Sequence, residues 1–273
     1  MSETGIDLSE CDREPIHVPG SIQPHGVLLV AEGHSQRILQ VAGETERMRV
    51  GSIGTILNHT LGEVLGSQAA ALVASAQAAS EPVYLGSVAI AGAELCLTAH
   101  DREDVRILEI EPSSPLPQST AEVMAQARRT AGLFARARTH AELLESAARE
   151  ARRLTGFDRV MVYRFLGDGS GSVGAEDRAD ALPPFLNHRY PASDIPRQAR
   201  EHYLRNPIRE IPDVSYTPAP LVPPRHPATG ALLDMSECTL RSVSPIHIQY
   251  LKNMHVAASM SVSVVVDGAL WGL

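Results

Sequence analysis

Cys11-Asp-Arg-Glu-Pro-Ile-His-Val-Pro-Gly-Ser-Ile-Gln-Pro-His-Gly26 joins a thiol in a polar leader to a segment of turns and short apolar residues. A cysteine in such a leader has no core to bury it, so its chemistry rather than its packing accounts for its presence. Cys11 reads as an attachment point. Outward from Gly26 the chain becomes a series of short strands around one helical stretch. Strands are predicted over Gly26 to Ala31 and Arg37 to Val41, a helix over Leu61 to Ala79, and strands over Val83 to Ile90, Glu94 to His100 and Val105 to Glu111. That is a small α+β module.

Its end is marked by Pro112-Ser-Ser-Pro-Leu-Pro117. Ser119-Thr-Ala-Glu122 and Thr139-His-Ala-Glu142 then each match the capping-box pattern that opens a helix. In the second helix Leu143, Ala147, Ala151 and Leu154 recur at helical spacing, and Gly156 supplies a stop before a strand over Arg159 to Leu166. A second domain begins there. Between 182 and 227 lie 11 of the 19 prolines, which predicts rigid loops interrupted by a short helix near Arg197 to Leu204. Long stiff loops often carry a site. A strand from about Ala257 to Val266, the Asp267-Gly268 turn and a further strand start at Ala269 follow. The last strand has no closing element, so the chain reads as a piece of a longer protein.

With 273 residues, 44% hydrophobic and 21% charged, the chain is sized for two soluble domains. A net charge of −8 argues against a nucleic-acid surface. The acidic start lacks a signal peptide, and no apolar run approaches the roughly 20 residues that span a bilayer, so a cytoplasmic protein without membrane contact is expected. Cys11, Cys96 and Cys238 are too few and too far apart for a disulfide framework or a short-spaced zinc site.

Three constellations carry possible chemistry. In Tyr190-Pro-Ala-Ser-Asp-Ile-Pro196, Asp194 stands just before a helix start, either as its cap or as a ligand group. In Arg241-Ser-Val-Ser-Pro-Ile-His-Ile-Gln-Tyr250, His247 and Tyr250 share a face if a helix starts after Pro245, and a core histidine is the plain alternative. In Ser259-Met-Ser-Val-Ser263, alternation puts three hydroxyls on one face and Met260, Val262 and Val264 on the other. The apolar face is expected in the core, and the serine face either in solvent or along a polar pocket.

Taken together these residues resemble a bacterial phytochrome, specifically its PAS-GAF chromophore-binding portion. The resemblance rests on Cys11 followed by Ile22-Gln-Pro-His-Gly26, on Pro191-Ala-Ser-Asp-Ile-Pro196, and on Ser244-Pro-Ile-His-Ile-Gln-Tyr-Leu-Lys-Asn-Met254. It implies an α+β fold in which a PAS and a GAF domain, each an antiparallel sheet flanked by helices, are joined by a figure-of-eight knot. The leader around Ile22 would thread a loop drawn from residues 212 to 244. The implied divisions are a leader to residue 20, PAS over 21–115, linker and helix over 116–138, and an incomplete GAF over 139–273.

The resemblance also implies a linear tetrapyrrole. In relatives that attach it within the GAF domain the cysteine directly precedes the motif histidine, where this chain has Ile246. Cys11 is therefore the implied thioether anchor for biliverdin IXα, ahead of Cys96, expected to pack in a strand, and of Cys238. Pyrrole nitrogens would face the backbone carbonyl of Asp194 and a water held by His247, with Ile195 and Pro196 of the same box beside them. Arg209, Arg241, Tyr203, Ser244, Ser259 and Ser261 match the positions that hold the propionates. Tyr163, Phe185, Tyr190 and Met254 would cage the D ring, and Tyr250 would pack near His247.

His255 departs from the resemblance, under which the residue after Asn253-Met254 is usually glycine, and would be strained at a positive φ. By resemblance the whole protein is a red/far-red photoreceptor with PHY and histidine kinase modules downstream and a response regulator as partner. This portion itself would be no enzyme, and without the PHY tongue it is expected to photoconvert incompletely. The helix before the second domain serves either a homodimer or the core. Two other readings stand beside this one. A PAS-GAF sensor could bind a cyclic nucleotide or haem without photochemistry, and an enzyme could use Cys238 and His247 as a nucleophile-base pair.

Overall fold

The computed structural model describes residues 14–113 and 119–273, so Cys11 lies outside the described residues. They form two compact units. The first takes the chain up to 113 together with Arg209–Met260, and the second takes 119–208 with Ser261–Leu273.

In the first unit β2 (Val27–Glu32), β3 (Ile38–Gly43), β4 (Val83–Ile90), β5 (Ala93–Arg102) and β6 (Val105–Pro112) form one antiparallel sheet in the order β3-β2-β6-β5-β4. Both of its faces are covered. Val27, Leu29, Leu108 and Ile110 pack beneath three short helices, α1 (Ile53–Ile56), α2 (Leu61–Leu65) and α3 (Ser67–Ser75). Leu28, Val30 and Ile107 pack on the other face against Leu221, Leu233, Met235 and Leu240. Such two-sided burial is why Val27-Leu-Leu-Val-Ala31 reads as a continuous apolar run rather than an alternating one. Each of these side chains contributes about 1.5–3 kcal/mol on leaving water.

The segment that opens the chain's described part is gripped on two sides. Strand β1 (Ser21–Ile22) pairs with β11 (Ala219–Pro220) along one edge, and Leu221 N–H donates to Gly20 O at 2.9 Å. On the other edge Gln23 N–H donates to Leu240 O at 2.8 Å and Ser242 N–H to Ser21 O at 3.1 Å. Ile22 is fully buried between the two arms. The residues from 209 to 242 thus close around the segment from 20 to 23, as a figure-of-eight knot requires. Gly26 ends the motif because a Cβ there would stand 2.7 Å from Leu240 Cδ1 and 2.8 Å from Ile110 O.

In the second unit β7 (Arg159–Phe165), β8 (Gly171–Arg178), β9 (Arg189–Tyr190), β13 (Val264–Val266) and β14 (Ala269–Gly272) form a sheet in the order β13-β14-β7-β8-β9. Helix α5 (His140–Thr155) lies on β7 and β8, with Ala148, Val162 and Ala175 at the centre. Helix α4 (Thr120–Arg136) precedes it and α6 (Arg197–Arg205) follows β9. Strands β10 (Ile208–Ile211) and β12 (Ser259–Val262) pair with each other, and α7 (Pro245–Asn253) lies between them in sequence.

Several expectations need correction. The single helix over 61–79 is two, because Gly66 adopts φ 87° and ends α2, and α3 stops at Ser75. The face of α5 is turned by one position. Leu144, Ala147 and Ala148 meet the sheet, while Leu154 is 49% exposed. Ser119 and Glu122 form a full capping box, but the Glu142 carboxylate takes Arg138 N–H instead of Thr139 N–H. Met260, Val262 and Val264 are exposed and the serines between them half-buried, the reverse of the expected facing. Strand β12 pairs with β10 rather than joining a packed sheet, so alternation alone did not fix its inner face.

Candidate functional site

The expected site residues fall into two sets, one in each unit. In the second unit Tyr163 and Phe165 share a face of β7, two residues apart, with rings in a T-shaped contact at 5.3 Å. Tyr190 joins them 6.0 Å from Tyr163. What allows the cluster is Gly171, whose added Cβ would fall 2.0 Å from the Tyr163 ring. Burial raises the pKa of both tyrosines, and in each case the Asp194 charge adds to the shift. Both phenols stay neutral donors.

Asp194 closes a 3-10 turn, Ala192–Asp194, and the N-cap of α6 is Pro196, which offers no side-chain cap. Asp194 therefore does not cap that helix. Arg200 of α6 holds the whole box: its Nε donates to Ile195 O at 2.8 Å, and its Nη2 to Gly169 O at 2.5 Å and Ala192 O at 3.2 Å, while the guanidinium lies over Phe165 at 4.4 Å. Ile195, Pro196, Tyr203 and Ser261 are half-buried.

Phe185 has different company from the tyrosines. It lies against His188 at 5.5 Å and under the Arg159 guanidinium at 3.9 Å. Its turn is held by Glu176, whose Oε2 accepts from Phe185 N–H at 2.9 Å and Leu186 N–H at 3.1 Å.

In the first unit two guanidiniums are fixed by backbone carbonyls. Arg209 of β10 donates through Nη1 to Thr239 O at 2.6 Å and through Nη2 to Arg241 O. Arg241 is buried and donates through Nη1 to Ile16 O at 2.8 Å. Burial, and then the neighbouring Arg209 charge, bring its pKa down to about 10. Two cations held this closely suit anionic ligand groups, above all carboxylates.

Ser244 donates to Glu14 Oε2 at 2.6 Å and accepts from Ile246 N–H at 3.2 Å, capping α7 with Pro245 at its first position. On that helix His247 and Tyr250 stack at 6.2 Å and 14°, as their spacing predicts. Burial, then Arg209, lowers the His247 pKa and keeps the ring neutral. Met254 and Ser259 are half-buried, and His255 has φ 57°.

The thiols separate clearly. Cys238 is fully buried, its pKa pushed well up by burial and the Glu109 charge, and its Sγ lies 3.9 Å from Nε2 of His100, not of His247. This overturns the nucleophile-base pair, since a buried neutral thiol makes a poor nucleophile. Cys96 lies half-exposed in β5, 3.5 Å from Ser87 Oγ.

Phe165, Gly171, Glu176 and Arg200 escaped the reading of the sequence. Alternation in β7 could have found Phe165, and the i+4 distance from Pro196 could have pointed to Arg200. Gly171 and Glu176 act through contacts that no local pattern encodes. Among the described residues no helix is long and apolar enough to cross a membrane.

Comparison with known proteins assigns both halves. A PAS-fold family matches residues 11–113 and a GAF-domain family residues 139–273. The bacteriophytochrome of Pseudomonas aeruginosa is 40% identical over 276 aligned residues, covering 100% of this chain and 37% of that protein. Cyanobacterial phytochrome B of Nostoc sp. is 38% identical over 98% of this chain and 37% of its own length. The chain thus spans well under half the length of these curated relatives. Among solved structures, the chromophore-binding domain of an unusual bacteriophytochrome from R. palustris superposes with a TM-score of 0.86 at 40% identity, covering 96% of this chain and 87% of that one. The wild-type chromophore-binding domain of Stigmatella aurantiaca phytochrome P1 gives 0.85 at 40% identity, covering 96% and 88%. The motifs, the two sheets and the gripped leader agree with these matches, and the chain belongs to the bacterial phytochromes, as their PAS and GAF portion.

Proposed function

We propose that this chain is the light-sensing portion of a red/far-red photoreceptor and holds biliverdin IXα through a thioether at Cys11. The observation that carries this reading is the pair Arg209 and Arg241, oriented by carbonyls of their own chain. Fixing a guanidinium plane in advance is what two-point recognition of a carboxylate needs, and a bilin carries two propionates. The Tyr163, Phe165 and Tyr190 cluster over Gly171 supplies the flat, apolar surface with hydroxyl edges that suits a pyrrole ring. The residues fit the pigment.

When bound, the pigment supplies red absorption and a C15=C16 bond that isomerises. This chain's residues then bind and orient it. Arg209 and Arg241 hold the propionates, with Tyr203, Ser259 and Ser261 as further hydroxyl donors, and Ser244 joins them when its hydroxyl turns from Glu14 to the pigment. The Asp194 carbonyl accepts from pyrrole N–H groups, with Ile195 and Pro196 beside it. His247, kept neutral by its surroundings, both donates and accepts toward a bridging water. Tyr163, Tyr190, Phe185 and Met254 bound the ring that turns, and Tyr250 supports His247. In the full protein the change passes to PHY and histidine kinase modules and a response regulator, in the cytosol. Helix α4, with Val123, Met124 and Leu133 exposed, supports a homodimer.

The test is direct. The protein is incubated with biliverdin, denatured and separated, and zinc-induced fluorescence is read on the band, with Cys11→Ala alongside. Labelling of the parent and its loss in the variant are expected. An unlabelled parent that still binds haem or a cyclic nucleotide would overturn the reading.

A further inference from the structure

Glu109 sits in the middle strand of the first unit's sheet, 1% exposed, where an unsupported carboxylate would be costly. Its oxygens take two consecutive amides of the knot loop: Leu240 N–H donates to Oε1 at 2.6 Å and Thr239 N–H to Oε2 at 3.1 Å. The same short run of backbone faces outward to the arginines. Thr239 O accepts from Arg209 Nη1 at 2.6 Å, Arg241 O accepts from Arg209 Nη2, and Leu240 O accepts from Gln23 N–H at 2.8 Å. One carboxylate therefore holds one side of a strip of chain whose other side orients Arg209, carries Arg241 and grips the leader.

We propose that Glu109 is a positioning residue for the propionate-binding arginines, acting through the Thr239–Arg241 backbone and touching no ligand itself. The inference rests on the reading that Arg209 and Arg241 hold bilin propionates. Above its pKa of about 7 the carboxylate matches two N–H groups with two acceptors, whereas a glutamine would turn an NH2 toward one of them. Binding is therefore compared at about pH 8, where Glu109 is ionised. Glu109→Gln thus keeps shape and removes one bond, loosening the strip without opening a cavity.

A plain core role and a positioning role differ in which ligand they affect. In the full chain carrying Cys11→Ala, equilibrium binding is measured by absorbance for biliverdin IXα and for its dimethyl ester, whose propionates are masked. Glu109→Gln is expected to weaken biliverdin about tenfold and the ester less than about twofold. With Arg209→Ala and Arg241→Ala already present, it should weaken neither further, because the effects share one route. Equal weakening of both ligands, no weakening of either, or full additivity with the arginine changes overturns the inference. If Glu109→Gln lacks the native circular dichroism spectrum, Glu109→Asp, with its shorter reach, takes its place under the same criteria. A parent that binds neither ligand brings down the bilin reading and this inference with it. A parent whose binding depends on the arginines but not on Glu109 brings down this inference alone.

Discussion

Gly171 sets where the Tyr163 ring lies, because the ring occupies the space a Cβ would need. Gly171→Ala forces the phenol away, and overpacking of this kind costs about 1–3 kcal/mol. Urea unfolding should show the loss, and the near-ultraviolet circular dichroism of the tyrosines should change with it. An unchanged spectrum and midpoint would mean the ring has another place to go. His255 is the opposite case, a side chain where the backbone favours none. At φ 57° a non-glycine residue costs about 1–2 kcal/mol, partly offset by the entropy a glycine loses on folding. His255→Gly should therefore raise stability by up to about 1 kcal/mol, and a lowered unfolding midpoint would show that the imidazole makes a compensating contact. The positive φ was foreseeable only through the resemblance, which implies glycine at that position. Gly171 was not foreseeable, since its partner is a ring two positions along the neighbouring strand.

Elements with strong local signals were legible, and those decided by tertiary packing were not. The strands over 83–90, 93–102 and 105–112 and the helix start at Ser119 follow from alternation and capping chemistry. The break at Gly66 is a local glycine turn at φ 87°, which helix-forming composition masks, whereas the outward turn of Met260 and Val262 depends on what lies opposite, which periodicity does not report. The Pro191–Pro196 box is a third kind of element, since its prolines predict a rigid loop but not its anchor. Arg200 supplies that anchor through three carbonyls. Arg200→Ala should leave α6 formed while the box loosens. Hydrogen exchange of the Asp194 amide, bonded to Pro191 O at 3.2 Å, is expected to accelerate selectively. Acceleration spread evenly over the second unit would instead mean a general loss of stability.

At the scale of the molecule, sequence order and physical association diverge. Arg209–Met260 belongs with the opening sheet, although it follows the helices and strands of the other unit. Its buried seam holds two titratable groups with opposed effects on folding. Burial raises Glu109 from 4.5 to about 7 against the pull of the Leu240 and Thr239 amides, with Glu111 adding a small push upward. Burial lowers His100 from 6.5 to about 4, opposed by Asp101 and Asp234 and assisted by Arg102.

Between pH 4.5 and 6.5 the folded state keeps a proton on Glu109 that the unfolded chain has released. The unfolded chain in turn holds one on His100 that the folded state excludes. The two slopes cancel, so these groups leave the parent's stability flat across that window. Glu109→Gln removes one slope only. The variant should lose stability as pH falls from 6.5 toward 4, approaching about 1.4 kcal/mol per pH unit, the limit for one proton. Urea midpoints taken at half-unit steps would reveal this, and a variant as flat as its parent would show that His100 does not resist protonation in the folded seam.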